Sequence, residues 1–242
     1  MCDEPVSHPV VSVRRVEVRA FNTLIDDLVA ALLPVRCPGC GRRAHALCSH
    51  CLATFRAAPP APLPLGVDWA TACFAYDGVV REIIARAKYR NERPALRVLG
   101  DHLADFAARA PAPIDLVTWT PASRDRYART GVDHAAILGR RVAFHLCVPA
   151  RSLLRRGRDE PQTGRDVVSR RRGPSVVAVG DVTDLVVLVV DDVTTTGGSL
   201  AAAARALRQR GARAVFAATL ARTPRPGRAI RNDAYTSATT PG

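Results

Sequence analysis

The sequence predicts an α/β protein with a mostly parallel sheet flanked by helices, preceded by a small cysteine-rich module. Strand-like apolar runs alternate with helical patterns through most of the chain, as they do in parallel sheets. One such run, residues 186–190 (VVLVV), is continuous, β-branched and too short for a helix, which is typical of a strand buried on both faces. Four cysteines also lie close together near the N-terminus. These observations together predict the fold class.

The chain divides into five predicted segments. Residues 1–20 show no clear periodicity and are expected to be a disordered extension. Residues 21–56 begin with an amphipathic helix, whose apolar side chains recur at helical spacing, and continue into the cysteine module. Residues 57–66 (AAPPAPLPLG) are a proline-rich linker. The α/β domain is expected over residues 67–223, and residues 224–242 are expected to form a disordered tail.

Apolar patterning predicts the elements of the α/β domain in order. The predicted strands cover residues 73–76, 114–121, 149–154, 176–179, 185–190 and 214–220. The predicted helices cover residues 78–90, 94–109 and 133–145, and an alanine-rich helix that begins at Ser199 and ends at Gly211. Residues 155–174 are polar and rich in arginine, and are predicted to be a long loop.

Charge and hydropathy narrow the class of protein. The net charge of +13 would favour binding of a nucleic acid. However, only one of the 35 basic residues is a lysine, and this excess of arginine, together with alanine, is what a GC-rich genome produces without selection for DNA binding. No apolar run reaches the ~18 residues of a membrane span, and no secretory signal is visible in the first residues. We therefore expect a cytoplasmic protein with reduced thiols, whose clustered cysteines bind metal.

A predicted metal centre comprises four cysteines at the spacing C-x2-C-x7-C-x2-C: Cys37, Cys40, Cys48 and Cys51. Gaps of two residues let both thiolates of a pair turn toward one ion, and four thiolates suit tetrahedral Zn²⁺. With four protein ligands the zinc is expected to be structural. His45 and His50 lie close enough in sequence to replace one of the cysteines.

A second predicted site follows the buried run 186–190. Asp191 and Asp192 stand at its carboxyl end, where open α/β sheets bind ligands, and adjacent carboxylates match the vicinal hydroxyls of a ribose. The loop that follows offers hydroxyls and backbone N–H groups to a phosphate at a helix N-terminus. Its residues are Thr194, Thr195, Thr196, Gly197, Gly198 and Ser199. The pattern predicts a site for ribose 5-phosphate; the alternative is a capped helix beside solvated acids.

The stretch DDVTTTGGS, residues 191–199, resembles the phosphoribosyl pyrophosphate (PRPP) binding motif of type I phosphoribosyltransferases. Together with the upstream cysteine module, residues 21–223 resemble the ComF/GntX family of phosphoribosyltransferase-like proteins. The resemblance implies a type I phosphoribosyltransferase fold, with a helical hood over the sheet, joined to a small N-terminal zinc-binding module.

Three further segments carry the resemblance. Residues 76–96 resemble the segment that contains a family lysine, here Lys88. Residues 120–138 resemble the pyrophosphate-binding loop and its following helix, with Ser123 and Arg124 as the implied ligands. Residues 155–172 resemble the mobile active-site loop and contain its implied residues Arg158, Gln162 and Gly164. The chain departs from the family pattern at Thr130, Val132, Arg165 and Gly173.

The resemblance implies an enzyme that transfers 5-phosphoribosyl from PRPP to an unidentified nitrogen acceptor and releases pyrophosphate. Mg²⁺ would bridge the PRPP hydroxyls and pyrophosphate, while Asp191 and Asp192 hold the ribose as positive charge develops on it. Residues 155–172, with a local net charge of +4, either close over the leaving group or form a solvated basic loop. His134, on the helix after the pyrophosphate loop, either approaches the acceptor or is an ordinary surface or core histidine.

The alternative function is a weakly catalytic or non-catalytic role in DNA uptake. In that case the zinc module and the basic charge would bind single-stranded DNA or a DNA-uptake helicase. Aromatic side chains, on which bases stack, make up only 5% of the chain and are absent from residues 37–51, which argues against this alternative.

Overall fold

A computed structural model describes residues 36–44, 46–90, 93–122, 133–157 and 175–224. Several predictions from the sequence lie outside these residues: the extension 1–20, the amphipathic helix after residue 21, most of the loop 155–174, nearly all of the tail 224–242, His45, Ser123, Arg124, Arg158, Gln162 and Gly164. The described helices and strands, in chain order, are α1 (Ser49–Ala53), β1 (Trp69–Ala75), α2 (Gly78–Arg90), α3 (Arg93–Ala107), β2 (Leu116–Trp119), α4 (His134–Leu146), β3 (Leu154–Arg156), β4 (Val176–Ala178), β5 (Val186–Thr194), α5 (Gly198–Arg208) and β6 (Ala214–Arg222).

The main sheet has four strands in the order β1-β6-β5-β2, and all three neighbouring pairs are parallel. This confirms the parallel sheet that the alternation of strands and helices predicts. A separate antiparallel pair joins β3 to β4. Because parallel strands all end at the same edge, the carboxyl ends of β2, β5 and β6 lie side by side. Asp191 and Asp192, the two acids predicted to bind a ligand, lie near that edge.

The central strand β5 is longer than the apolar run that predicts it, since it continues through Asp191 and Asp192 to Thr194. The extension is stabilised by pairing with β6, in which Asp191 lies opposite Thr219 and Thr194 opposite Arg222. Aspartate has a low intrinsic preference for strands, but the neighbouring strand outweighs it. The two acids therefore lie inside a strand and not in the loop that follows it.

Alternate residues of β5 pack into two hydrophobic cores. Val186, Leu188 and Val190 join the larger core, which is built with α2, α3 and α4. Val187 and Val189 join the core that lies against α5. This period of two is the ordinary geometry of a strand. Continued to the end of β5, it places Asp191 on the α5 side of the sheet and Asp192 on the α4 side.

The strand predicted over residues 149–154 is wrong in its bounds. Ala150 forms only an isolated parallel bridge with Val117 at the edge of β2, and β3 begins at Leu154. Proline has no N–H to donate to a ladder, so Pro149 can only accept a hydrogen bond, which comes from the Val117 N–H at 2.9 Å. Within the described residues, no helix is both long and apolar enough for a membrane span.

Candidate functional site

The predicted ribose acids and the start of the predicted phosphate loop lie together at the carboxyl edge of the sheet. Asp191 and Asp192 lie near the carboxyl end of β5, and Thr194 is the last residue of that strand. The helix α5 begins four residues later, at Gly198. Thr120 follows β2, and its N–H donates to the Val190 carbonyl at 3.0 Å. A strand, an acid pair, a short turn and a helix N-terminus thus occur in immediate succession.

Asp191 is buried and has a fixed orientation. Only 7% of the surface of this residue is exposed to solvent. The carboxylate oxygen Oδ1 accepts a hydrogen bond from the Thr120 hydroxyl at 2.7 Å and another from the Asp192 backbone N–H at 2.9 Å. Charge-assisted bonds of this kind are about twice as strong as bonds between neutral groups. They hold the carboxylate against the end of β2.

Asp192 is also buried, at 3% exposure, but on the other side of the sheet. Its Oδ1 accepts a hydrogen bond from the Val193 N–H at 2.7 Å. Its negative charge acts on Asp133, the residue that precedes α4. The sequence places the two acids side by side, whereas the strand geometry separates them onto opposite faces. A ligand that contacts both carboxylates must therefore lie across the end of β5.

The N-terminus of α4 supplies polar groups on the Asp192 side. Asp133 is the N-cap of this helix, and its Oδ1 accepts a hydrogen bond from the Ala136 N–H at 3.1 Å. Burial raises the pKa of Asp133, and the charge of Asp192 raises it further, against opposing effects from the Ala136 hydrogen bond, His134 and Arg140. His134 is only 3% exposed, so the histidine that the sequence left unassigned lies in the core beside this site.

Replacing Asp133 with asparagine is expected to raise the free energy of unfolding at neutral pH. A carboxyl group whose folded pKa lies above its ordinary value of 3.8 opposes folding at all pH values above the folded pKa, because the folded state binds the proton more tightly. Asparagine caps a helix as well as aspartate does. Urea unfolding as a function of pH should show the Asp133→Asn advantage at pH 7, shrinking as the pH falls and absent below the ordinary value. An advantage that grew toward low pH would contradict the burial of this charge.

The turn between β5 and α5 has the form expected of an anion site. Thr195 and Thr196 are exposed, and Gly197 is the N-cap of the eleven-residue helix α5, with a left-handed φ of 79°. Since glycine has no side chain, the cap leaves the first turn of α5 open for an external acceptor. The N-terminus of a helix also carries a partial positive charge, which favours phosphate.

The proline-rich linker packs directly on this turn. A Cβ atom added to Gly197 would lie 2.9 Å from the Cγ of Pro64 and 3.1 Å from its Cβ. The linker is held in place by hydrogen bonds from the Ala58 N–H to the Cys73 carbonyl at 3.2 Å and from the Arg222 guanidinium to the Pro59 carbonyl at 3.0 Å. Residues that read as a spacer in the sequence therefore support the backbone of the turn.

Replacing Gly197 with alanine is expected to cost more stability than the same change at Gly66. Both glycines have a φ of 79°, which costs an alanine about 1–2 kcal/mol. The added methyl group at Gly66 makes only an ordinary contact, 3.5 Å from Ala204 Cβ, whereas at Gly197 it meets Pro64. Urea unfolding should therefore give a lower free energy of unfolding for Gly197→Ala than for Gly66→Ala. Adding Pro64→Ala to the Gly197→Ala variant should recover part of that difference. Equal losses for the two single variants would show that Pro64 does not press on the turn.

The four cysteines of the predicted metal centre converge. The sulfur atoms of Cys37, Cys40, Cys48 and Cys51 all lie within 4.8 Å of one another. A tetrahedral zinc with Zn–S bonds of about 2.3 Å sets its sulfurs about 3.8 Å apart, and the Cys40 and Cys48 sulfurs are separated by 3.5 Å. The donor set and its geometry thus fit structural Zn²⁺, as predicted. Cys48 also caps α1, because its sulfur accepts a hydrogen bond from the Cys51 N–H at 3.4 Å.

Local electrostatics at the cysteines suit metal binding. Burial opposes ionisation of Cys37, but hydrogen bonds from the backbone of Cys48, Cys40 and Gly39 outweigh it and lower its pKa to about 6. Burial, followed by the neighbouring cysteines, raises the pKa of the Cys51 thiol. A thiolate shared among several cysteines is the state from which a divalent ion displaces the remaining protons.

The cysteine module is packed against α2. A Cβ atom at Gly39 would lie 2.7 Å from the Cys51 sulfur and 2.8 Å from a methyl carbon of Val79, so the chain passes between the metal centre and the helix. The Arg86 guanidinium also donates to the Pro38 carbonyl. Lys88, the lysine singled out by the family resemblance, lies in the same helix. The module therefore contributes to the placement of α2.

Thr120 and Asp133 lie in the segment 120–138 that carries the family resemblance, but the sequence did not single out either of them as a polar group of the site. Thr120 directly follows β2, and Asp133 directly precedes α4. Their relevance depends on the order of strands in the sheet and on which helix covers the end of β5, and neither is encoded in local patterning. The sequence offers one indication of Thr120 as a site residue, namely a threonine directly after a predicted buried strand.

Parts of the chain are similar to known proteins. Residues 128–241 match the family model of the phosphoribosyl transferase domain. The ribose-phosphate pyrophosphokinase of Haemophilus ducreyi is 45% identical over 60 residues, which cover 23% of this chain and 19% of that protein. The enzyme of the same name from Parasynechococcus marenigrum is 27% identical over 121 residues, covering 48% of this chain and 35% of that protein. The chain thus spans about a fifth to a third of the length of these curated relatives.

Among solved structures, a purine phosphoribosyltransferase from Pyrococcus horikoshii is 20% identical, with a TM-score of 0.37 and coverage of 56% of this chain and 78% of that one. An adenine phosphoribosyltransferase from Rhodothermus marinus is 23% identical, with a TM-score of 0.36 and coverage of 55% and 70%. The family match, over residues 128–241, includes β5, the turn and α5. Residues 128–241 are therefore similar to a phosphoribosyl transferase domain, and the parallel sheet with flanking helices is that of the type I phosphoribosyltransferase fold.

Proposed function

We propose that the chain binds PRPP together with Mg²⁺ and transfers the 5-phosphoribosyl group to a nitrogen acceptor, releasing pyrophosphate. The observation that carries this proposal is the end of β5, where two buried carboxylates, a Thr/Gly turn and the N-terminus of α5 follow one another without interruption. The phosphoribosyl transferase domain match over residues 128–241 supports it.

The turn is suited to the 5′-phosphate. Thr195 and Thr196 expose hydroxyl groups, and backbone N–H groups at the start of α5 add further donors. No lysine or arginine occurs between Asp191 and Ser199, so this segment would bind the phosphate through hydrogen bonds and the helix dipole.

The buried acids are suited to the ribose. When pyrophosphate leaves, the C1–O bond of PRPP breaks with its electron pair on the leaving group, and positive charge develops on the ribose ring. Asp191 and Asp192 would stabilise that charge, and their burial strengthens the interaction because it removes screening water. The acceptor nitrogen then forms the new bond to C1. Mg²⁺ would be held by oxygens of PRPP itself and would neutralise charge on the departing pyrophosphate.

Residues known here only from the family resemblance complete the proposal. Ser123 and Arg124 are proposed to bind the pyrophosphate. A loop that contains Arg158, Gln162 and Gly164 is proposed to close over the substrate, and Lys88 is proposed as a further residue of the site.

Calorimetric titration with PRPP and Mg²⁺, followed by a pyrophosphate-release assay against a panel of nitrogenous bases, tests the proposed function. We expect saturable PRPP binding and pyrophosphate release with at least one base. Absence of PRPP binding at millimolar concentration would contradict the proposal. Binding without turnover on any acceptor would instead support a protein that retains only recognition of PRPP.

A second candidate, binding of single-stranded DNA, is favoured by one observation. The cysteine module exposes Arg36, Arg42 and Arg43, and residues 36–56 contain no aspartate or glutamate. Such a cluster suits a phosphate backbone, and its binding should weaken steeply as salt increases. Fluorescence anisotropy with labelled single strands at several salt concentrations tests this candidate. Binding that does not respond to salt, or no binding at low salt, would exclude it.

A further inference from the structure

We propose that Thr120 is the residue that positions Asp191 for the ribose. The proposal rests on the proposed function, because it assigns a partner to one of the two acids of that site. Its basis is a single buried hydrogen bond, 2.7 Å long, from the Thr120 hydroxyl to Asp191 Oδ1. The two partners are 71 positions apart in the sequence, so the fold brings them together.

The sheet places Thr120 beside Asp191 by register. Trp119, the last residue of β2, lies opposite Val190 of β5, and the Thr120 N–H donates to the Val190 carbonyl at 3.0 Å. Thr120 therefore lies opposite Asp191. Leu116 belongs to the core on the α5 side of the sheet, and with a period of two Thr120 projects to that same side, as Asp191 does.

The local environment makes this bond strong. Thr120 and Asp191 are each 7% exposed, so little water competes for the carboxylate. Oδ1 of Asp191 receives both the Thr120 hydroxyl and the Asp192 N–H. Two donors on one oxygen fix the rotation of the carboxylate plane and stabilise its ionised form. A valine has the shape of threonine but lacks the donor, so it would remove the Thr120 hydrogen bond from this oxygen and keep the one from the backbone N–H.

The bond also joins two parts of the proposed site. Thr120 is the first residue of the segment 120–138, which contains the proposed pyrophosphate ligands. Asp191 belongs to the strand that leads into the phosphate turn. The hydrogen bond from Thr120 thus links the proposed pyrophosphate segment, which follows β2, to Asp191 in the strand that precedes the phosphate turn. We class it as a positioning residue, since it acts through Asp191.

Three variants test the role of Thr120. Thr120→Val removes the donor, Thr120→Ser keeps it, and Thr118→Val is the matched control. Thr118 lies in β2, is fully buried, and its hydroxyl accepts a hydrogen bond from the Leu153 N–H at 3.3 Å, away from the acids. Loss of a hydrogen bond to a charged group predicts that Thr120→Val binds PRPP about 10- to 100-fold more weakly, whereas Thr120→Ser and Thr118→Val bind within about threefold of wild type.

Crystal structures of the Thr120 variants provide a readout that does not depend on PRPP. We expect the Asp191 carboxylate to rotate away from its wild-type orientation in Thr120→Val and to keep it in Thr120→Ser. An unchanged carboxylate in Thr120→Val, or equal PRPP affinity in Thr120→Val and wild type, would overturn the role of Thr120. Failure of the wild-type protein to bind PRPP would overturn the proposed function instead, while the carboxylate orientation still decides whether Thr120 positions Asp191.

Discussion

Replacing Asp191 and Asp192 together with asparagine is expected to lower phosphoribosyl transfer by a factor on the order of 10²–10³ or more. The change keeps the size of both side chains but removes the negative charges that would stabilise the developing positive charge on the ribose. Pyrophosphate release, measured with the best acceptor of the panel, provides the rate. PRPP affinity should fall as well, because the ribose hydroxyls lose their charged acceptors.

The matched control for this double variant is Asp105→Asn. Asp105 is exposed on α3, so its replacement removes a carboxylate without touching the edge of the sheet, and transfer should stay within about twofold of wild type. Thermal unfolding of both variants separates loss of function from loss of fold. A double variant that folds normally and retains wild-type transfer and PRPP affinity would remove Asp191 and Asp192 from the site.

Replacing Cys37 and Cys51 together with serine is expected to abolish zinc binding and to destabilise the protein strongly. The two thiols are the buried members of the cluster, at 1% and 2% exposure. A structural zinc can contribute about 10–16 kcal/mol of binding free energy in small modules. Since Gly39 packs between Cys51 and Val79, the loss should extend to α2. Metal analysis should give one zinc per wild-type chain and none in the variant.

The control for the cysteine variant is Cys147→Ser, because Cys147 is an exposed thiol at the end of α4. This control should retain one zinc per chain. Thermal unfolding should show a large drop for the double variant and a small change for the control. Wild-type protein purified under reducing conditions without zinc, and without any other tetrahedrally bound ion, would contradict the metal assignment.

The parts of the fold that local patterning determines were predictable. The continuous apolar run 186–190 and the alanine-rich stretch after Ser199 identify β5 and α5, because burial on both faces and helix propensity both act within a short segment. The paired spacing of the cysteines likewise predicts their convergence, since two-residue gaps turn two thiolates in one direction.

The parts that depend on distant pairing were not predictable. β5 runs on through Asp191 and Asp192 because β6 lies beside it, and no property of those acids favours a strand. The same extension sends the two side chains to opposite faces, where the sequence suggests a pair acting together. The hydrogen bond from Thr120 to Asp191 requires the strand order β5-β2, and the support of Gly197 by Pro64 requires the path of the linker. None of these contacts is local in sequence.

The central claim is that residues 191–199 bind a phosphorylated pentose. A crystal structure of the protein with PRPP and Mg²⁺ tests it most directly. The account predicts the 5′-phosphate on the turn that follows β5, hydrogen-bonded to backbone N–H groups at the start of α5, with the ribose across the strand end between Asp191 and Asp192. PRPP bound at another place on the protein, with this turn in contact only with solvent, would contradict it.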